Sequence, residues 1–167
     1  MMTHPYPGDN GGNNPPKPTY LVIFVTLAVK HLFEAGRGFL WPRPERCPRC
    51  GGRLWGHGFV PAYFDGYDQP LWLKRYRCPD CRGILRLRPR GYFKRFQTPI
   101  NTIRDCLAYW VRYHRWKGGP SPPRQRHWVN ALRRHLVIHQ GLNRVEDLPA
   151  GFNRLWGLGI IPVSRSL

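Results

Sequence analysis

Two short cysteine pairs constrain this chain more than any other feature: Cys47-Pro48-Arg49-Cys50 and Cys78-Pro79-Asp80-Cys81, separated by the 27 residues from Gly51 to Arg77. Four thiolates at about 2.3 Å close a tetrahedron around zinc and leave no open coordination position, which suits a structural ion and not a catalytic one. The spacing predicts one structural Zn2+ held by Cys47, Cys50, Cys78 and Cys81. In each pair the proline fixes one backbone angle, and a nearby glycine, Gly51 in the first and Gly83 in the second, permits the tight turn that presents both sulfurs. The competing reading is two disulfides or four unrelated thiols. A repeated C-P-x-C unit in a chain of five cysteines, with nothing else that looks secreted, argues for the metal.

A zinc ribbon is too small to be held by apolar burial alone, so metal binding supplies its folding free energy, on the order of 10 kcal/mol. The chain of 167 residues leaves room beside it for a modest helical core. Strands are expected at Arg53–Val60, Leu71–Arg77 and Ile84–Arg88. In the middle one, Leu71, Leu73, Arg75 and Arg77 share one face, and Trp72, Lys74 and Tyr76 share the other. Asp65-Gly66 marks a turn between the first two strands. Before the ribbon, residues 1–19 are rich in glycine, asparagine and proline and are expected to be disordered. Residues 20–38 form an apolar lead-in read as a strand or the start of a buried helix: Tyr20–Val25 are good strand formers, Leu27–Glu34 would suit a helix, and periodicity does not decide between them.

Residues 39–97 then hold the ribbon and a basic, aromatic connector, Pro89–Gln97. Residues 98–167 read as helical. Thr98 as N-cap and Pro99 at the first position start a helix whose face is Ile100, Ile103, Leu107, Trp110 and Val111, ending at Gly118-Gly119. Cys106 beside that face reads as a buried structural thiol. Ser121-Pro122 starts a second helix, to about Ile138, with Trp128, Ala131, Leu132 and Leu136 turned inward. Arg126, Asn130 and Arg133 then form an outward strip, with His127 and Arg134 beside it. Asn143 and Glu146 resemble a capping pair for a short third helix ending before Pro149, and residues 150–167 suggest an irregular packed tail. The fold class is small α+β: a four-cysteine zinc ribbon of about three short antiparallel strands, followed by a helix-turn-helix-like segment.

Charge points to the partner. The formal net charge is +18, from 27 Lys and Arg against 9 Asp and Glu, so acidic residues are too few to interleave with the bases. A polyanion is expected, and the predominance of arginine favours phosphate and base-edge contacts. On the ribbon and connector the candidate nucleic-acid contacts are Arg75, Arg77, Arg86, Arg88, Arg90, Lys94 and Arg95, where rings interleave with cations. On the helical side they are Arg124, Arg126, Asn130, Arg133 and Arg134, with phosphate contact favoured over base readout. Duplex DNA is the leading partner. The alternative is a zinc-ribbon interaction or scaffold protein that binds RNA or an acidic protein.

No enzyme is expected. The nine acidic residues do not form a recognisable two-metal carboxylate layout, and His57, the only histidine worth testing as a further zinc ligand, faces a site that four thiolates already close. The apolar run Tyr20–Val29 has ten residues, too short to span a bilayer. It also lacks the basic start of a signal peptide. Reduced thiols and no membrane partner give a cytoplasmic expectation.

Phe39-Leu40-Trp41-Pro42-Arg43-Pro44, the first knuckle with Gly51, Leu54-Trp55-Gly56-His57-Gly58, Arg75-Tyr76-Arg77-Cys78-Pro79 and Arg124-Gln125-Arg126-His127-Trp128 together resemble the zinc ribbon and helical segment at the front of bacterial insertion-sequence transposases and their stand-alone relatives. The likeness covers roughly residues 39–136, and its knuckles are the specific part. It implies a module that recognises element ends, with a transposase subunit as its partner. The carboxylate-bearing catalytic domain of full-length transposases has no counterpart in this sequence, so strand transfer by this chain is not implied.

Overall fold

The structure, a computed structural model, describes residues 20–141 and 148–165. Among them are four strands, β1 Tyr20–Val25, β2 Trp55–Ala62, β3 Leu71–Arg77 and β4 Ile84–Pro89, and four α-helices, α1 Val29–Ala35, α2 Ile100–Tyr113, α3 Pro122–Gln140 and α4 Leu148–Gly157. The expected disorder of residues 1–19 and the proposed Asn143–Glu146 cap lie outside the described residues.

The strands form one sheet in the order β1-β4-β3-β2. β2, β3 and β4 run antiparallel as a ribbon requires, while β1 joins parallel to β4 with Tyr20 opposite Ile84 and Val25 opposite Pro89. The sheet thus has four strands where three were expected, and Tyr20–Val25 of the lead-in belongs to it. The reason lies in β4, which would otherwise be an edge strand: Leu85 and Leu87 are fully buried because Leu21, Ile23 and Val25 pack with them. The lead-in proves to be a strand and then a helix. Its β-branched half pairs with β4, and its second half forms α1, which Gly36 ends at φ 54 by donating its N–H to Leu32.

β2 starts at Trp55, two residues later than expected, and its register with β3 shifts between Gly56 and Phe59. β3 buries both of its faces in part. Leu71 and Leu73 pack with Leu32, Phe64 and Tyr92, whereas Tyr76 joins Leu54, Leu85 and the knuckle cysteines Cys47 and Cys78.

The helical part has its own core, in which Ile103, Leu107, Leu132, Leu148, Phe152 and Leu155 are all at least 99% buried. Cys106 lies in this core, and burial pushes its thiol up. Several start and stop signals act differently from expectation. Pro99, not Thr98, caps α2, and Thr98 is buried with its hydroxyl donating to Asp65 Oδ2 at 2.5 Å. α2 stops at Tyr113, before the glycine pair, because His114 takes a left-handed φ of 51° and donates its N–H to Trp110. α3 starts after Ser121 as predicted and runs to Gln140, two residues past the expected Ile138, where Gly141 closes it. The first part of the stretch read as an irregular tail, residues 150–157, is instead the body of α4, with Pro149 in its first turn, where a missing N–H costs nothing. Gly151 explains how closely α4 approaches α3: a Cβ there would lie 2.4 Å from Leu136 Cδ2.

Candidate metal centre and nucleic-acid interface

The sheet brings the two knuckles together. The four Sγ atoms of Cys47, Cys50, Cys78 and Cys81 lie within 4.8 Å of one another, with Cys47–Cys81 at 3.7 Å and Cys50–Cys78 at 3.5 Å. A tetrahedron with zinc–sulfur bonds of about 2.3 Å has edges of about 3.8 Å, so the cluster fits a zinc-type ion. The separations also exceed the bond length of about 2.0 Å in a disulfide, and all four cysteines are free thiols. His57 lies on β2 beside the register shift and is not a member of the cluster.

Each knuckle closes in the same way. Cys47 N–H donates to Gly52 O and Cys78 N–H to Gly83 O, both at 2.9 Å. The residue after the second cysteine takes the left-handed backbone in both: Gly51 at φ 73 and Arg82 at φ 56. The turn in the second knuckle is therefore made by Arg82, against the expectation for Gly83. Gly52 serves a different end, since a Cβ there would collide with the Asp80 carboxylate and press on Cys78 Sγ at 3.2 Å.

The thiols affect one another's protonation. Burial raises Cys47, but the backbone groups of Arg49 and Cys50 and the sulfurs of Cys81 and Cys50 outweigh it and bring the thiol down to about 7. At Cys50 the Gly52 backbone lowers the value, yet the Cys78, Cys81 and Cys47 sulfurs, helped by desolvation, push it up to about 12. Crowded sulfurs cannot all ionise without a cation among them, and a divalent ion would supply that charge.

The candidate nucleic-acid residues divide into two groups. Three make contacts within the protein, though only Arg88 is buried. Arg88 is 6% exposed, donates to Phe96 O and lies 4.8 Å from the Phe64 ring; burial, with Arg86 adding, lowers it to about 10. Arg124 pairs with Asp65 Oδ2 at 2.7 Å. Arg133 lies 5.5 Å from the Trp110 ring with its Nε buried, so it faces α2, and the outward strip of α3 is Arg126, Asn130 and Arg134. These last three are exposed and four residues apart, on one helical face.

On the ribbon, Arg75 and Arg86 are half-buried and sit directly opposite one another across β3 and β4, with Arg77 exposed beside Cys78. Arg90, Lys94 and Arg95 are exposed on the connector. The expected helix-turn-helix geometry is not evident, because α2 and α3 are joined by eight residues, 114–121, where that motif uses about three or four.

Sequence reasoning missed Gln125, which holds that connection in place. Its side chain is 1% exposed; Nε2 donates to Lys117 O at 2.6 Å and Pro120 O at 2.7 Å, while Oε1 accepts from Lys117 N–H at 3.1 Å. A glutamine between two arginines at a helix start gave no apolar signal to mark it as buried. Among the described residues no helix is long and apolar enough to cross a membrane. In comparisons with protein-family models, curated proteins and solved structures, nothing matches this chain.

Proposed function

We propose that this is a DNA-binding protein in which one structural zinc ion staples a basic sheet beside a basic helix, as in the DNA-recognition part of a transposase. The observation that carries this reading is the exposed strip Arg126, Asn130 and Arg134 along α3, which takes part in no salt bridge among the described residues. The 19 residues of α3 make a rod roughly 28 Å long, a size the major groove admits. Only two salt bridges occur among the described residues, against a formal charge of +18. That uncompensated charge favours a polyanion. The resemblance of the knuckles and the Arg124–Trp128 segment to transposase front modules supports the same class, and a transposase subunit is the partner it suggests. A zinc ion held by four thiolates has no position for a catalytic water, which favours recognition over chemistry.

The test is fluorescence anisotropy with duplex DNA over a range of salt. Affinity should fall steeply, and Arg126→Gln and Arg134→Gln should each flatten the slope of log K against log salt by about 1. Salt-insensitive binding, or slopes unchanged in both variants, would refute the reading. The second reading, an interaction ribbon for RNA, rests on the rings of β1: Tyr20 and Phe24 are 61% and 37% exposed, in line with Ile84 and Arg88 of β4. Stronger binding to single-stranded RNA than to duplex would favour it.

A further inference from the structure

We propose that the cleft between the connector, α3 and the C-terminal segment is a binding site for a phosphomonoester, carried either by a free nucleotide or by the end of a nucleic-acid strand. The cleft has a volume of about 800 Å³, within the range of pockets that hold a small ligand. Its polar lining is Lys94 and Arg95 from the connector, His127, His135 and His139 from α3, and Arg165 from the C-terminal segment. Among the described residues no Asp or Glu lines it. Three permanent cations converging without a carboxylate match a dianion better than the single charge of a phosphodiester.

The three histidines follow one another at multiples of four residues, so α3 presents them along one side. The His135 and His139 rings are parallel, with centroids 5.7 Å apart, and His135 Nε2 lies 3.1 Å from Ser164 Oγ. Burial, with Arg165 and Arg134 adding, holds His127 below its ordinary range. Phe96, Ile160 and Ile161 supply an apolar wall against which a base can lie.

Arg95 holds a left-handed backbone at φ 70, a conformation that glycine adopts freely and other residues adopt at a cost. Arg82 and His114 share that backbone away from the cleft, so what the φ supplies at Arg95 is a glycine substitution that removes the cation at the rim without backbone strain.

The same backbone gives a clean test. Arg95→Gly removes the charge without straining the fold, so its thermal midpoint should equal or exceed that of the parent. Calorimetric titration of the metal-loaded chain with AMP and adenosine should show AMP bound at least tenfold more tightly, or 5′-phosphorylated oligonucleotide should outbind its 5′-hydroxyl form by that factor. Arg95→Gly and Arg165→Gln should each remove most of that difference, and Arg112→Gln on α2 should leave it intact. Preference for AMP alone identifies a free nucleotide, and preference for the phosphorylated oligonucleotide alone identifies a strand end; either supports the site. Equal binding with and without the phosphate, a preference that survives in Arg95→Gly, or equal competition by an oligoglutamate peptide would overturn it. Loss of duplex binding in the salt experiment leaves these outcomes unaffected.

Discussion

Replacing Gln125 by leucine should destabilise the protein by about 3 kcal/mol. Leucine nearly conserves the volume, so no cavity term enters, and what is lost is the amide. That amide makes three hydrogen bonds to backbone groups of Lys117 and Pro120, at 2.6, 2.7 and 3.1 Å. Each is worth about 1 kcal/mol net. Lys117 is exposed and Pro120 half-buried, so water can reach the abandoned groups and the larger penalty for sealed, unpaired atoms does not apply in full. Urea unfolding of the metal-loaded chain reads the change as a shift of midpoint at constant slope. Gln125→Glu tests the same geometry by charge. A carboxylate aimed at two carbonyl oxygens is disfavoured when ionised, so its folded-state pKa lies above the unfolded one. The variant should therefore be most destabilised near neutral pH and recover as the solution is acidified through that raised pKa. A midpoint shift for Gln125→Leu equivalent to less than about 0.5 kcal/mol would refute the idea that this side chain holds the α2–α3 connection.

Two further outcomes concern the knuckles. The purified chain should carry one zinc ion; Cys78→Ser or a strong chelator should release it and unfold the sheet, and binding should weaken as pH falls because the ligands must shed protons, all of which metal analysis and circular dichroism can follow. Arg82→Gly should raise the unfolding midpoint by the equivalent of about 1 kcal/mol, since its φ of 56° suits glycine, and a lower midpoint would mean the arginine side chain matters more than the backbone strain.

The metal cluster was legible in the sequence because its signal is covalently local: two cysteines three residues apart, repeated, with turn-forming neighbours. The antiparallel ribbon followed from alternation in Leu71–Arg77 and Ile84–Arg88. β1 was not legible as part of that sheet, because a parallel partner some sixty residues away leaves no local trace in Tyr20–Val25. α4 was hidden by its own composition. Pro149, Gly151 and Gly157 read as breakers, yet the proline sits where no N–H is needed and Gly151 is small because Leu136 presses on it. Cap signals failed for a different reason: Thr98 has the right chemistry for an N-cap, but its hydroxyl serves Asp65 instead.

Asp65 also changes what the positive charge means. With nine acids in the chain, an internal carboxylate is scarce, and this one accepts from both Thr98 and Arg124 while its own N–H donates to Gln97 O at 3.0 Å. The ribbon loop is thereby tied to the start of α2 and the start of α3 at one point. Arg88 adds a second tie, from β4 to the Phe96 carbonyl in the connector. Two of the cations first read as ligand contacts thus fix the angle between sheet and helices. The exposed ones, Arg77 and Arg90 on one side and Arg126 and Arg134 on the other, are then held in a fixed relation, and a rigid array of charge discriminates among polyanions by shape where a flexible one cannot.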